Sequence, residues 1–305
     1  MHLRALSIGE AVPRDNFDAV IHSAFDTAVN LRLVETDRLI TVLISQGYEL
    51  PQGIRIWMKD LSLQILTPGL SAAARGGILR FDSAHLSVDL RGAPIWKCRI
   101  PELRLDMSSP VAQQAWSLGW SLLDQEQQRR NTELRASALF QSNAGAALTR
   151  RISQPIRSLM SSSNEFDVLG AMHAAQKMIG LGPGVTPSGD DILIGFLAGL
   201  WSIAGGDQSQ LAFLHSFGAK LVHAARQTSE ISRTYIYHAT RGQFSSSLTR
   251  LAAAIETGNA VEEAAQAAMR IGHSSGMDSV TGLLIGLCIW NPKAPIIPTL
   301  SLAEK

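Results

Sequence analysis

The hydrophobic period of this chain changes once, near residue 106, and that change limits the fold more than any other feature. Before it, apolar and polar residues alternate in short runs. Ile54, Ile56 and Met58 alternate with Arg55, Trp57 and Lys59, and Leu61, Leu63 and Ile65 with Ser62 and Gln64. Leu86, Val88 and Leu90 alternate with Ser87 and Asp89, and Trp96, Cys98 and Ile100 with Lys97 and Arg99. A period of two sends one set of side chains to a core face and the other to water. Residues 29–33 and 39–44 read as two further strands, and Gly47, Pro51, Gly53, Pro68, Gly69, Gly76, Gly77, Gly92 and Pro94 break the runs. Six or seven strands at this spacing predict a small antiparallel β barrel or sandwich-like domain.

After residue 106 the period is helical. Ser109-Pro110 opens a run through Trp116, Trp120 and Leu123, with proline in the first turn of a helix. Ser162 and Glu165 have the spacing of a capping box ahead of residues 166–179, and Asn259 and Glu262 repeat it ahead of residues 261–271. Gly180 and Gly272 stand where C-terminal caps belong. Residues 291–298 hold Pro292, Pro295 and Pro298 and read as an ordered arm or a tail. The expected class is α+β: a strand-rich domain over 1–105, a helical connector over 106–150, and a helical domain over 151–305.

Composition excludes several classes. Charged residues are 17% of the chain against a usual share of about 25%, which favours a large core or a surface covered by other subunits. Lys plus Arg number 27 and Asp plus Glu 26, with no basic block, so a dedicated nucleic-acid binder is not expected. Cys98 and Cys288 match no zinc or redox spacing, which fits a reducing compartment. The N-terminus lacks the apolar run of a signal peptide, and the most apolar stretches, 192–204 and 280–290, are too short to span a bilayer. A cytoplasmic protein without membrane contact is expected.

The helical half contains an internal echo. Residues 188–200 and 275–287 both read S-G-x-D-x-x-x-G-x-L-x-G-L, each after a segment ending Ile-Gly. This predicts two related helix–loop–helix units about a pseudo-twofold axis, with Gly195, Gly199, Gly282 and Gly286 allowing close helix packing.

The loop at 180–191, G-L-G-P-G-V-T-P-S-G-D-D, is the densest chemical signal. Such a loop can turn backbone N–H groups toward an anion, and the helix after it adds its positive end. Gly182, Gly184, Thr186, Ser188 and Gly189 are therefore candidate anion-binding residues. Asp190 and Asp191 diverge by about 100° on a helix, so one faces a ligand while the other caps. A carboxylate here can orient an amide, take a proton or hold magnesium. The second loop, 272–278, brings His273, Ser275, Gly276 and Asp278; His273 is a candidate acid or base, and no zinc spacing accompanies it. A third segment, 228–238, places Ser229, Ser232 and Arg233 on one helix face. Asp190, Asp191, His273 and Asp278 are the candidate catalytic residues. Ser232, Ser275 and Gly276 join the binding set, and no metal ligand is assigned.

G-L-G-x-G-x-T-P-S-G-D-D at 180–191, G-H-x-S-G-x-D at 272–278 and the T-S-x-I-S stretch at 228–232 resemble the AllH subunit family of oxamate carbamoyltransferase. The resemblance covers most of the helical half and extends to the strand-rich half in general character. It implies a subunit acting with an FdrA-like protein and a third subunit, with homo-oligomers also admitted. The implied reaction is carbamoyl transfer between oxamate and phosphate in anaerobic allantoin (purine) degradation. Phosphate, oxamate and carbamoyl phosphate are small anions suited to glycine-rich helix N-termini. The residues leave two other readings open: a stand-alone, magnesium-assisted amide or carboxyl-group enzyme using Asp190, Asp191 and Asp278, and a non-catalytic anion-binding assembly subunit.

Overall fold

The computed structural model describes residues 1–58, 62–141 and 145–291, the side chain of Pro101 excepted. The chain forms two compact units, Met1–Cys98 and Arg99 onward. The first is a strand unit: β1 (His2–Arg4), β2 (Ser7–Gly9), β3 (Phe17–Ala24), β4 (Ala28–Leu33), β5 (Leu39–Ile44), β6 (Gly53–Ile56), β7 (Ser71–Arg75), β8 (Ile78–Phe81), β9 (Leu86–Asp89) and β10 (Ile95–Trp96). These form one curled sheet in the order β1-β9-β8-β7-β3-β4-β5-β6-β2-β10. Alternation buries Phe17, Ala19 and Ile21 of β3 and Ile54 and Ile56 of β6 in one core with Leu31, Leu79, Phe81 and Val88. That burial drives the sheet to curl around its apolar face.

The antiparallel expectation holds for most of the sheet, but β1–β9, β2–β10 and β5–β6 pair in parallel. Two alternating runs differ from expectation. Leu63–Ile65 is a single 3₁₀ turn whose capping residue Ser62 accepts from the Gln64 amide at 3.3 Å, so Leu63 is buried while Ile65 is exposed. Lys59 and Leu61 lie outside the described residues. The run at Trp96, Cys98 and Ile100 stops after Trp96, because Pro101 lacks a ladder donor and Ile100–Glu102 closes into another 3₁₀ turn. The expected arm at 291–298 lies outside the described residues beyond Asn291.

The second unit contains α1 (Pro110–Arg130), α2 (Ala147–Asn164), α3 (Val168–Gln176), α4 (Ser188–Ala204), α5 (Gln208–Ala224), α6 (Glu230–Ala239), α7 (Ser246–Thr257), α8 (Val261–Met269) and α9 (Ser275–Gly286). Pro110 opens α1 as expected. The two capping boxes do not form. Ser162 lies in the last turn of α2, and Asp167 caps α3 instead, its carboxylate accepting from the Leu169 and Gly170 amides. One carboxylate oxygen, Asp167 Oδ1, accepts from both first-turn amides and takes the place of the reciprocal serine–glutamate arrangement. Ala260, in the left-handed region, precedes α8 and supplies no side-chain cap. The C-caps of α3 and α8 are Lys177 and Arg270, and Gly180 and Gly272 turn the chain with positive φ a few residues later.

Helices α4 and α9 form the centre of this unit. All of α4 except Ile203 is buried, as is all of α9 except Ser275 and Ser279. Their glycines meet reciprocally: a methyl group on Gly195 would lie 1.9 Å from the Ser279 carbonyl oxygen, and one on Gly282 would lie 2.0 Å from that of Ile192. Under the overlay of 188–200 on 275–287, each contact maps onto the other. The helix pairs α2/α3 and α7/α8 pack nearby, and α1 lies against α7, α8 and α9. Trp116 of α1 donates its indole N–H to the Leu284 carbonyl at 2.8 Å. Among the described residues, no helix is long and apolar enough to cross a membrane.

Candidate active site at the paired helix N-termini

The glycine-rich loop reaches α4 through a set of specific ties. The Gly189 amide donates to the Leu181 carbonyl at 2.8 Å, and the Gly180 amide to Asp190 Oδ1 at 2.8 Å. Thr228 Oγ1 donates to Asp190 Oδ2. Ser229, the N-cap of α6, donates from Oγ to the Val185 carbonyl at 2.6 Å. Thr186 Oγ1 and Ser275 Oγ meet at 2.6 Å. Three segments far apart in sequence, 180–191, 228–232 and 272–278, thus form one site. Gly182 has φ +120, and a methyl group there would lie 2.8 Å from the Ser188 nitrogen, so the turn requires glycine on both counts.

The loop's amides divide into two groups. Those of Gly189 and Gly276 are used within the protein, by the carbonyls of Leu181 and Ile271. Both glycines also pack against carbonyl oxygens of the preceding segment, Met178 and Ala268. Among the described residues, the amides of Gly182, Gly184, Val185 and Thr186 have no protein acceptor. Gly184 and Val185 are exposed.

The two adjacent aspartates separate in role. Asp190 is fully buried, and each of its oxygens accepts from one part of the loop wall. Burial raises its pKa, while Thr228, Gly180 and Ser232 act in the opposite sense. Ser232 is itself fully buried beside this tie. Asp191 is 4% exposed and Asp278 1%, and each has one buried oxygen, Oδ2, without a hydrogen-bond partner among the described residues. Burial pushes Asp191 well above the ordinary carboxyl range, and the charge of Asp278 adds to it; the hydroxyls of Ser275 and Thr186 work against both. Burial raises Asp278 to about 7, opposed by the hydroxyls of Ser188 and Ser274. Each aspartate is therefore served by the serine of the opposite half.

Tyr235 of α6 is the residue that sequence reasoning passed over. Burial, and then the Asp191 charge, push its phenol up to about 12. Its position one turn after Ser232 was the only available signal, because no motif marks it. His273 lies on the exposed side of the second loop; its carbonyl accepts from Arg130 at 3.3 Å, and its ring makes no hydrogen bond among the described residues. Arg233 is half-buried. Among the described residues, no group of three or more His, Cys, Asp or Glu is placed to hold a metal ion. Asp190 spends both oxygens on the protein, which takes one carboxylate from the magnesium reading.

Two family models match the chain. The one described as oxamate carbamoyltransferase subunit AllH covers residues 178–287, which include all three segments of the site. The one described as the AllH family N-terminal domain covers residues 4–95, most of the strand unit. No solved structure matches.

Proposed function

The chain belongs to the AllH family of oxamate carbamoyltransferase subunits, and we propose that it supplies the anion-binding part of that enzyme's active site. It works as one subunit of a multi-subunit carbamoyltransferase in anaerobic allantoin degradation, beside an FdrA-like subunit and a third chain in the cytoplasm. Phosphate and oxalurate give carbamoyl phosphate and oxamate, and the same site runs the reverse reaction. A phosphate oxygen bonds to the carbamoyl carbon as the C–N bond breaks, and the hydrogen carried by phosphate ends on the oxamate nitrogen.

The observation that carries this reading is the loop at 180–191, whose four amides at Gly182, Gly184, Val185 and Thr186 have no protein acceptor among the described residues, while Asp190 pins its ends. Fixed N–H groups at a helix N-terminus suit phosphate or a carboxylate without reorganising. They also stabilise the charge that grows on the carbamoyl oxygen during attack. Thr186 and Ser275 add hydroxyls to the same rim, and the buried Ser188 serves Asp278 beneath it.

The test is the reconstituted complex, followed by release of oxamate from oxalurate at varied phosphate. Gly182→Ala should raise the KM for phosphate by about tenfold or more, the loss of one good charged hydrogen bond. An unchanged KM in a folded, assembled variant removes the loop from the anion site.

A further inference from the structure

We propose that Asp191 and Asp278 hold one proton between them and exchange it with the reacting groups through the hydroxyls of Ser275 and Thr186. The inference deepens the carbamoyl-transfer reading and rests on it for the identity of the reacting nitrogen.

The geometry comes first. The two carboxyls occupy equivalent places in the two halves, at the first turns of α4 and α9, whose axes are held together by the reciprocal glycine contacts. Both side chains are more than nine-tenths buried, and each keeps an oxygen without a partner among the described residues. The charges of Asp278, across the α4–α9 contact, and of Asp190 on α4 act on Asp191, and the Asp191 charge in turn acts on Tyr235 of α6; among the described residues no cation acts on either carboxyl. Two ionised carboxylates buried without a cation repel each other and lose hydration, so one proton stays. The proton belongs to the pair, and its titration is a property of both groups.

A route to the surface is present. Thr186 and Ser275 act on Asp191, touch each other at 2.6 Å and are half-buried at the edge of the loop. A hydroxyl can accept a proton on one side while donating on the other. In the transfer from oxalurate, the phosphate oxygen bonds to the carbamoyl carbon and the electron pair of the broken C–N bond goes to the oxamate nitrogen. That nitrogen takes the pair's proton through the hydroxyls, and the phosphate's hydrogen replaces it. The pair ends as it began.

The experiment is a titration of the full chain with ¹³C-labelled aspartate carboxyls, read by NMR, for the wild type, Asp191→Asn and Asp278→Asn. Asparagine mimics the protonated carboxyl and removes the charge. Each variant should lower the midpoint of the remaining carboxyl by about one unit or more, the size of a close like-charge effect. Midpoints that do not move in either variant show two independent groups and overturn the proposal. If an asparagine variant does not fold, Ser275→Ala takes its place: it should move Asp191 further up, and no movement overturns the hydroxyl route. In the reconstituted complex, both asparagine variants should lower kcat by about tenfold or more with KM retained and flatten the pH–rate profile near neutrality. A coupled titration with unchanged turnover overturns the proton route. A wild-type complex that releases no oxamate instead fails the carbamoyl-transfer reading, while the titration still decides the pair.

Discussion

The hydroxyl of Ser275, at the start of α9, favours the charged form of Asp191 on α4, and Ser188 of α4 does the same for Asp278 of α9. The serine of each S-G-x-D motif therefore serves the carboxyl of the other motif. This crossing follows from the helix pair: reciprocal glycine contacts bring the two N-termini together, and neither half completes its site alone.

The α4–α9 contact leaves no room for a side chain. Gly195→Ala and Gly282→Ala each place a methyl group about 2 Å from a backbone carbonyl oxygen, which cannot move without moving its helix. Each should cost about 3 kcal/mol or more by urea unfolding, at the high end of overpacking. A loss below about 0.5 kcal/mol would mean that the helices are not this close.

Asp190→Ala should loosen the loop before it affects the rest of the domain. It leaves the Gly180 amide and the Thr228 hydroxyl without their acceptor, at a cost of about 2 to 3 kcal/mol. Hydrogen exchange should show faster exchange at Gly180 and along residues 181–188, with α5 and α7 unchanged. Unaltered protection would remove Asp190 as the tie.

Stability should fall as pH rises toward neutrality. The folded state keeps the Asp278 proton up to about 7, whereas the unfolded chain loses it near 3.8. Between those values the folded state binds more protons, so this contribution is full below the lower value and is lost through the upper one. Glu126 acts in the other direction: hydrogen bonds from Arg129, ahead of those from Arg130, hold it at about 2, and its contribution is lost as pH falls from 4.5 toward that value. Asp278→Asn should flatten the decline between pH 5 and 8 in urea midpoints. The same decline in variant and wild type would assign it to another group.

Trp116→Phe tests how α1 is fastened. The buried indole N–H donates to the Leu284 carbonyl, and phenylalanine keeps the ring contact while leaving that carbonyl without its donor. A loss of about 1 to 2 kcal/mol is expected from thermal or urea unfolding. No loss would show that the carbonyl finds another donor.

Much of the architecture could be read from local pattern. The strands at β4, β5, β6 and β9 show a period or an apolar run that any window detects. The start of α1 is marked by Ser109-Pro110, and the echo of 188–200 in 275–287 points to the helix pair. The short strands β1 and β2 could not be read, since three residues carry no period and exist only because a neighbour supplies ladder bonds. The capping boxes failed for a related reason. Ser162 and Glu165 have the right spacing, but α2 continues through Ser162 and Asp167 caps the next helix.

The sequence by itself determined the two structural regimes, the family, the glycine-rich loop and the aspartates at its end, because each is encoded by residues adjacent along the chain. Only the tertiary structure decided what each aspartate does. Asp190 and Asp191 have the same chemistry and neighbouring positions, yet the 100° turn of the helix sends one to the loop and Thr228 and the other toward Asp278. Tyr235 acquires its shifted phenol in the same way, from burial first and then from a carboxylate 44 residues earlier in the chain. Charge, burial and hydrogen bonding act through space, and they are set by which helices meet.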